Sequence, residues 1–273
     1  MRVVRRAVSV MASVITLMAC GFWRPTVIPM AQSFYSAPCT SVDGHARPLL
    51  VLLPGRFMYP EEFIREGYLR AVRERGFALD VLIVDAHLGY YSDRSILERL
   101  RVDVFEPARK RGVREIWVAG ISVGAFGAML YADANPGEIA GLIAIGPYLG
   151  SGKVSDAIRA ANGLPQWHAP EPLPPLTVDS SDIEAELHLW QWLKEQTASS
   201  SKPNANPNLY LIFGRNDRFK NAQEVMADSL PPSHVVMIDG AHNWDAWRPA
   251  WRQLLDRLPI ERRSECKASD LTK

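Results

Sequence analysis

From Pro48 onward the chain alternates two hydrophobic patterns. Short apolar runs have the length of β-strands: Leu49 to Leu53, Val81 to Asp85 with the aspartate at its end, Ile116 to Ala119, Leu142 to Ile145, Leu209 to Phe213 and Val235 to Ile238. Between them, apolar residues recur every three or four positions, as on one face of a helix. Pro60 to Arg75 reads as a single helix with Phe63, Ile64, Tyr68, Ala71 and Val72 inward, proline at its start and Gly76 past its end. Ser92 or Asp93 caps a second, carrying Ile96, Leu97, Leu100 and Val104 and kinked or split at Pro107. Further helices follow at Val123 to Asp133, after Asp217, and around Trp247, Trp251, Leu254, Leu255 and Leu258. A strand without a polar face is covered on both sides, and helical crossovers join parallel strands. The pattern therefore predicts an α/β fold: a mostly parallel central sheet flanked by helices.

The alternation lapses in three places. Residues 21–47, with Pro25, Pro29 and Pro38, read as a tether with little regular structure. Residues 147–207 read as a cap-like insertion. Its stretch from Gly163 to Pro175 is too rich in proline for a helix, and Ser181-Asp182-Ile183-Glu184 forms a capping box that opens a helix with Ile183, Leu187, Trp190 and Leu193 on one side. Residues 261–273 read as a polar, frayed tail, which bounds the main domain at 48–260.

Composition narrows the class. A chain of 273 residues with 47% apolar and 22% charged residues has room for a substantial core, in one large α/β domain or at most two small ones. Lysine and arginine number 31 against 30 acidic residues, a formal net charge of +1, so nothing favours a polyanionic partner and no nucleic-acid binding is expected.

The amino terminus has a different character. Arg2, Arg5 and Arg6 precede the uncharged run Ala7 to Ala19. As a helix that run reaches about 20 Å, short of the roughly 30 Å hydrocarbon core of a bilayer, so it reads as an export signal rather than a permanent span, with ordinary cleavage or an uncleaved anchor as the alternatives to lipidation. Leu17-Met18-Ala19-Cys20 resembles the lipobox of bacterial lipoproteins, with methionine at a place where it is less usual. The resemblance implies that 1–20 is a signal peptide with lipobox, that Cys20 is lipidated, and that the chain sits at the periplasmic face of a bacterial envelope membrane. Cys39 and Cys266 then remain, and in an oxidising compartment they either close a disulfide or stand as two free surface thiols.

The chemistry centres on Gly120-Ile121-Ser122-Val123-Gly124, where an apolar strand turns directly into a helix. A serine at such a corner takes a strained backbone, and only small residues fit two positions to either side. Its hydroxyl then stands at a positive helix N-terminus. Serine needs a base, and the base needs a partner that fixes its tautomer. Asp217 and His242 supply them, each in a loop after a later strand, on the sheet edge where ligands bind in such folds. Asp239 is an alternative acid with the weaker pattern. His87 either reaches the pocket or bonds within its loop. His45, His168, His188 and His234 show no partner pattern and read as surface residues, and Arg215 as a surface charge. Trp190, Trp192, Trp244, Trp247 and Trp251 sit at helical spacing and read as core, with a place near the pocket as the alternative for Trp244, while Tyr90-Tyr91 either line the site or pack a loop.

Together with Gly214-Arg215-Asn216-Asp217 and Gly240-Ala241-His242, the serine motif resembles the α/β-hydrolase superfamily over roughly 49–258. The resemblance implies Ser122 as nucleophile, Asp217 as acid, His242 as base, and an oxyanion hole from two backbone N–H groups. One belongs to Val123. The other lies in Leu53-Pro54-Gly55-Arg56-Phe57, where many members have His-Gly; Arg56 is the expected donor. The implied activity is hydrolysis of a small-molecule carboxylic ester through an acyl-enzyme, by a monomer without metal or organic cofactor. A thioesterase or acyltransferase would use the same machinery, and a non-catalytic binding scaffold of the envelope is the rival outside catalysis.

Overall fold

A computed structural model describes residues 24–40, 46–198 and 208–267. Among them a seven-stranded sheet runs in the order β1-β3-β2-β4-β5-β6-β7. Its strands are β1 (Gln32–Tyr35), β2 (Leu49–Leu53), β3 (Asp80–Val84), β4 (Ile116–Ile121), β5 (Gly141–Ile145), β6 (Asn208–Gly214) and β7 (Val235–Ile238). β2 to β7 pair in parallel, and β1 lies antiparallel on β3. This is the mostly parallel sheet between helices that the hydrophobic pattern predicts.

Side-chain alternation explains why the strands carry no polar face. Leu49, Val51 and Leu53 of β2 enter one apolar cluster with Val118, Ala144 and Leu211. Leu50 and Leu52 enter the other with Trp117, Ala119, Ile143 and Ile212. Helices Val123–Ala134, Lys153–Ala160, Asp182–Ala198 and Lys220–Ala227 close the first cluster; Pro60–Arg65, Tyr68–Glu74 and Trp244–Leu255 close the second. Within the second, Tyr68 stacks on Trp251 with ring centroids 4.9 Å apart.

Several elements differ from the sequence expectation. The helix expected over Pro60 to Arg75 breaks in two, because Gly67 takes a left-handed φ of 76° that ends one helix and starts the next. The expected tether 21–47 is folded where described. β1 covers the outer edge of β3, which would otherwise expose unpaired N–H and C=O groups, and the Met30 N–H donates to buried Asp103 at 2.9 Å. The tail is not frayed through residue 267: Arg262 bridges Phe77, and a 3₁₀ turn Ser264–Cys266 buries Cys266. Cys39 and Cys266 are joined in a disulfide that ties both ends of the domain together. The proposed signal, Cys20, His45 and residues 268–273 lie outside the described residues. No helix among the described residues is long and apolar enough to cross a membrane.

The insertion contains a helix the sequence reading missed, Lys153–Ala160, entered through Gly152 at φ 94°. Glu186, buried in the helix Asp182–Ala198, accepts from the N–H and hydroxyl of Ser151 and the N–H of Val154, fastening one helix to the start of the other. The buried stripe of that longer helix is Glu186, Leu189, Trp190 and Leu193, so Ile183 is exposed rather than inward.

Candidate active site

Ser122 sits between β4 and the helix Val123–Ala134 with φ 55° and ψ −114°, a conformation that costs a non-glycine residue about 1–3 kcal/mol. The surroundings enforce it. A β-carbon on Gly120 would come within 2.4 Å of the Ala125 nitrogen, and one on Gly124 within 2.5 Å of the Leu53 carbonyl oxygen. The turn is also tied down: the Ser122 N–H donates to the Ile145 carbonyl at 2.9 Å, and the Ser122 carbonyl accepts from Tyr148 N–H at 3.2 Å. Two glycines and two neighbouring strands thus hold the hydroxyl above the carboxyl edge of the sheet.

Three residues far apart in sequence meet there. His242 Nε2 lies 3.2 Å from Ser122 Oγ, and His242 Nδ1 lies 2.8 Å from Asp217 Oδ2. Asp217 is buried after β6, and its Oδ1 accepts from the Phe219 N–H at 2.9 Å. That second bond leaves Oδ2 to face the imidazole, so Nδ1 carries hydrogen and Nε2 presents a lone pair to the serine hydroxyl. Phe219 and Trp247 hold the imidazole between them, edge to face, at 5.1 and 4.9 Å. Gly146 makes room beside this pair: a β-carbon there would lie 2.7 Å from Trp247 Nε1 and 3.2 Å from Asp217 Oδ2. Sequence reasoning had placed Trp247 in the core and passed over Phe219; their aromatic character close to Asp217 and His242 was the available signal.

Val123 opens a helix, so its N–H has no acceptor in a preceding turn. In the loop after β2, Gly55 N–H donates to Met58 Sδ at 3.2 Å and Met58 N–H to the Gly55 carbonyl, which forms a tight turn through Arg56 and Phe57. The exposed Arg56 guanidinium lies 4.4 Å from the centroid of the Phe57 ring.

A pocket of about 440 Å³ has Val123, the residue after the serine, in its wall with Phe126 and Tyr148. Leu88, Tyr91 and Leu97 form a second side, and Leu176 and Ala185 of the insertion a third. Arg94 and Asp182 pair at 2.6 Å at its margin. Burial holds the Tyr91 phenol well above its usual range; its oxygen rests over Gly127, where a β-carbon would approach to 2.6 Å. None of Ser122, Asp217 and His242 is itself in either wall, but a larger hollow, about 710 Å³ between helices Lys153–Ala160 and Lys220–Ala227, lacks Val123 as well.

The remaining candidates fall elsewhere. Asp239 is exposed and pairs with Arg215 at 3.0 Å. His87 is buried and accepts from Gly89 N–H, capping the helix Leu88–Ser92; burial first, and the Arg24 charge second, hold it below the usual imidazole range. Tyr90 bonds Val27 and packs its loop, while Tyr91 lines the pocket. Three histidines read as unpartnered surface residues have partners: His168 Nδ1 lies 3.5 Å from Lys194 Nζ. His188 meets Asp133 at 3.1 Å and the Pro174 carbonyl at 2.7 Å, and His234 meets the Leu209 carbonyl at 3.0 Å. No group of three or more His, Cys, Asp and Glu side chains among the described residues could hold a metal ion.

No family model matches the chain, and no curated protein does. Solved structures do resemble it. An S-formylglutathione hydrolase from Staphylococcus aureus superposes with a TM-score of 0.54 at 15% identity, over 86% of this chain and 97% of that one. FphF, a fluorophosphonate-binding serine hydrolase of the same organism, gives 0.53 at 16% identity over 84% and 98%. Est1E from Butyrivibrio proteoclasticus gives 0.51 at 17% identity over 84% and 94%. At these identities the likeness concerns the fold.

Proposed function

We propose that this protein is an exported serine hydrolase that cleaves carboxylic esters through an acyl-enzyme and is held at the periplasmic face of an envelope membrane by lipid on Cys20. The observation that carries the chemistry is the unbroken line from Asp217 through His242 to Ser122, at 2.8 and 3.2 Å. The superposed hydrolases support the same reading.

Ser122 Oγ attacks the ester carbonyl carbon while its proton passes to His242 Nε2. Asp217 holds Nδ1–H and stabilises the resulting imidazolium. The carbonyl oxygen becomes an oxyanion facing the N–H groups of Val123 and Arg56, at the positive end of the helix. Collapse breaks the bond to the alcohol, which leaves with the proton from Nε2. Water then repeats the sequence: His242 takes its proton, the hydroxide carbon–oxygen bond forms, and the acid departs as Ser122 regains its proton. The wall of Phe126, Leu97, Leu176 and Ala185 suits an apolar acyl or alkoxy group. The chain acts as a monomer in this reading.

The test is kinetic. Across p-nitrophenyl esters of increasing acyl length, the wild type turns over at least one, and Ser122→Ala lowers kcat by about four to six orders of magnitude. Equal rates for the two proteins would remove the assignment. Loss of radiolabelled palmitate on Cys20→Ser tests the anchor separately; lipid persisting on that variant would refute it.

A further inference from the structure

We infer that the sheet edge bearing Ser122 faces the bilayer that holds the amino terminus, so that the pocket takes esters presented at that lipid surface. The inference rests on the anchored reading above and adds a direction to it.

Chain length supplies the first constraint. Between Cys20 and Arg24 stand Gly21, Phe22 and Trp23, and four Cα-to-Cα steps span at most about 14 Å. The same bound applies if the uncharged run before Cys20 is retained as the anchor. Where Arg24 sits therefore decides which face lies against the membrane.

Arg24 is docked on the site's own edge. It pairs with Asp85, the residue after β3, and its guanidinium lies 4.8 Å from the centroid of the Tyr59 ring, in the loop after β2. Thr26 Oγ donates to Asp93 at 2.9 Å, and the backbone of Val27 exchanges two hydrogen bonds with the Tyr90 hydroxyl at 3.0 and 2.8 Å. Asp85 and Tyr59 follow the carboxyl ends of their strands, as Ser122 follows β4. The loop that receives the segment continues directly into the pocket wall through Leu88, Tyr91 and Arg94.

The surface there suits a lipid headgroup layer. Ile28 is 72% exposed, Val27 56%, and Phe57 and Tyr59 about half; on the insertion side of the pocket Val178 is 67% exposed, next to pocket-lining Thr177. Among the described residues Arg56 and Arg218, in the loops after β2 and β6, make no ion pair, and both are exposed. Cations beside exposed aliphatic and aromatic side chains match an interface with anionic headgroups. At the opposite edge, Lys110, Arg111 and Arg114 lead into β4 and are also exposed, so charge alone does not choose between the two edges. The short tether and the apolar side chains do.

Site-directed fluorescence tests this on the full chain. With Cys20 acylated and Cys39 bonded to Cys266, an introduced cysteine is the free thiol available for labelling. Ile28→Cys and Tyr59→Cys place a fluorophore on the proposed membrane edge, with Val178→Cys in reserve if a label there impairs folding; Arg114→Cys places it on the far edge. Each is reconstituted in phosphatidylethanolamine–phosphatidylglycerol vesicles carrying a headgroup nitroxide, and hydrolysis of a short soluble ester checks that each labelled protein is folded. The two edges are separated by a five-residue strand, about 17 Å, so quenching at positions 28 and 59 is expected to exceed that at 114 at least about threefold. Equal quenching on protein that floats with the vesicles, or stronger quenching at 114, overturns the orientation, leaves the anchor standing, and returns the exposed face to a second copy or a protein partner. Protein that does not float overturns the anchor and the orientation together. A linker of about 20 Gly/Ser residues between Trp23 and Arg24, with a coil span of about 25 Å, is expected to erase the difference and to slow hydrolysis of a vesicle-embedded long-chain ester while sparing the soluble one. Unchanged rates on both esters would contradict surface presentation.

Discussion

Replacing Asp217 by asparagine changes one atom of a buried group and forces a choice on the site. The carboxylate accepts twice, from the Phe219 N–H through Oδ1 and from His242 Nδ1 through Oδ2, at 2.9 and 2.8 Å. An amide has one acceptor and one donor end. With its oxygen toward His242, the amide NH₂ meets the Phe219 N–H donor to donor, which costs a buried unsatisfied pair on the order of 1–3 kcal/mol. With its oxygen toward Phe219, the NH₂ donates to Nδ1, and the hydrogen of the neutral imidazole moves to Nε2, where it blocks acceptance of the serine proton. The second arrangement satisfies every bond and is the expected one. It predicts a folded protein with kcat lowered about 10³- to 10⁴-fold, which corresponds to about 4–5.5 kcal/mol of transition-state stabilisation. Stopped-flow or steady-state hydrolysis of a p-nitrophenyl ester, alongside thermal unfolding, reads both quantities. A folded Asp217→Asn enzyme within tenfold of wild-type kcat would refute the tautomer argument and the role given to Asp217.

Gly124→Ala would push a β-carbon against the Leu53 and Pro54 carbonyl oxygens, at 2.5 and 2.6 Å; a loss of about 2–4 kcal/mol, near 5–15 °C in Tm, is expected by calorimetry, together with lower kcat from a displaced Ser122. The double variant Cys39→Ala/Cys266→Ala frees two ends separated by 227 residues; chain-entropy reasoning gives a ceiling of about 5 kcal/mol, and urea unfolding is expected to show a loss of about 2–5 kcal/mol with the m-value altered. Leu97→Trp narrows the pocket of about 440 Å³, so kcat/KM across an acyl series is expected to shift toward shorter chains by roughly tenfold per excluded pair of methylenes, with short-chain turnover retained.

What the sequence disclosed follows from how each element is buried. The strands β2 to β6 were legible to within about two residues because both faces are covered and each run is too short for a helix, while β7, with Met237 exposed, was legible from its β-branched residues alone. β1 was not legible: Gln32-Ser33-Phe34-Tyr35 is a short, exposed edge strand without that signature. The break at Gly67 escaped notice because the helical periodicity continues through it, and helix Lys153–Ala160 because only Val154 and Ile158 form its apolar stripe. At the site, Ser122, Asp217 and His242 could be picked out together because each follows a strand of a parallel sheet, whose ends share one edge. The pocket walls could not, since residues 88–97 and 176–185 come together only through packing of the insertion. Nor could Glu186, a buried carboxylate justified solely by the three donors of the Ser151–Val154 turn.

The account depends above all on a covalent acyl group passing through Ser122. Rapid quenching of the protein during turnover of a slowly deacylating ester, followed by peptide mass mapping, measures this directly. The predicted result is one acyl adduct, on the Ser122 hydroxyl, absent from Ser122→Ala and accumulating at the rate of alcohol release. Sustained hydrolysis with no adduct on that residue, or with the adduct on another side chain, would contradict it.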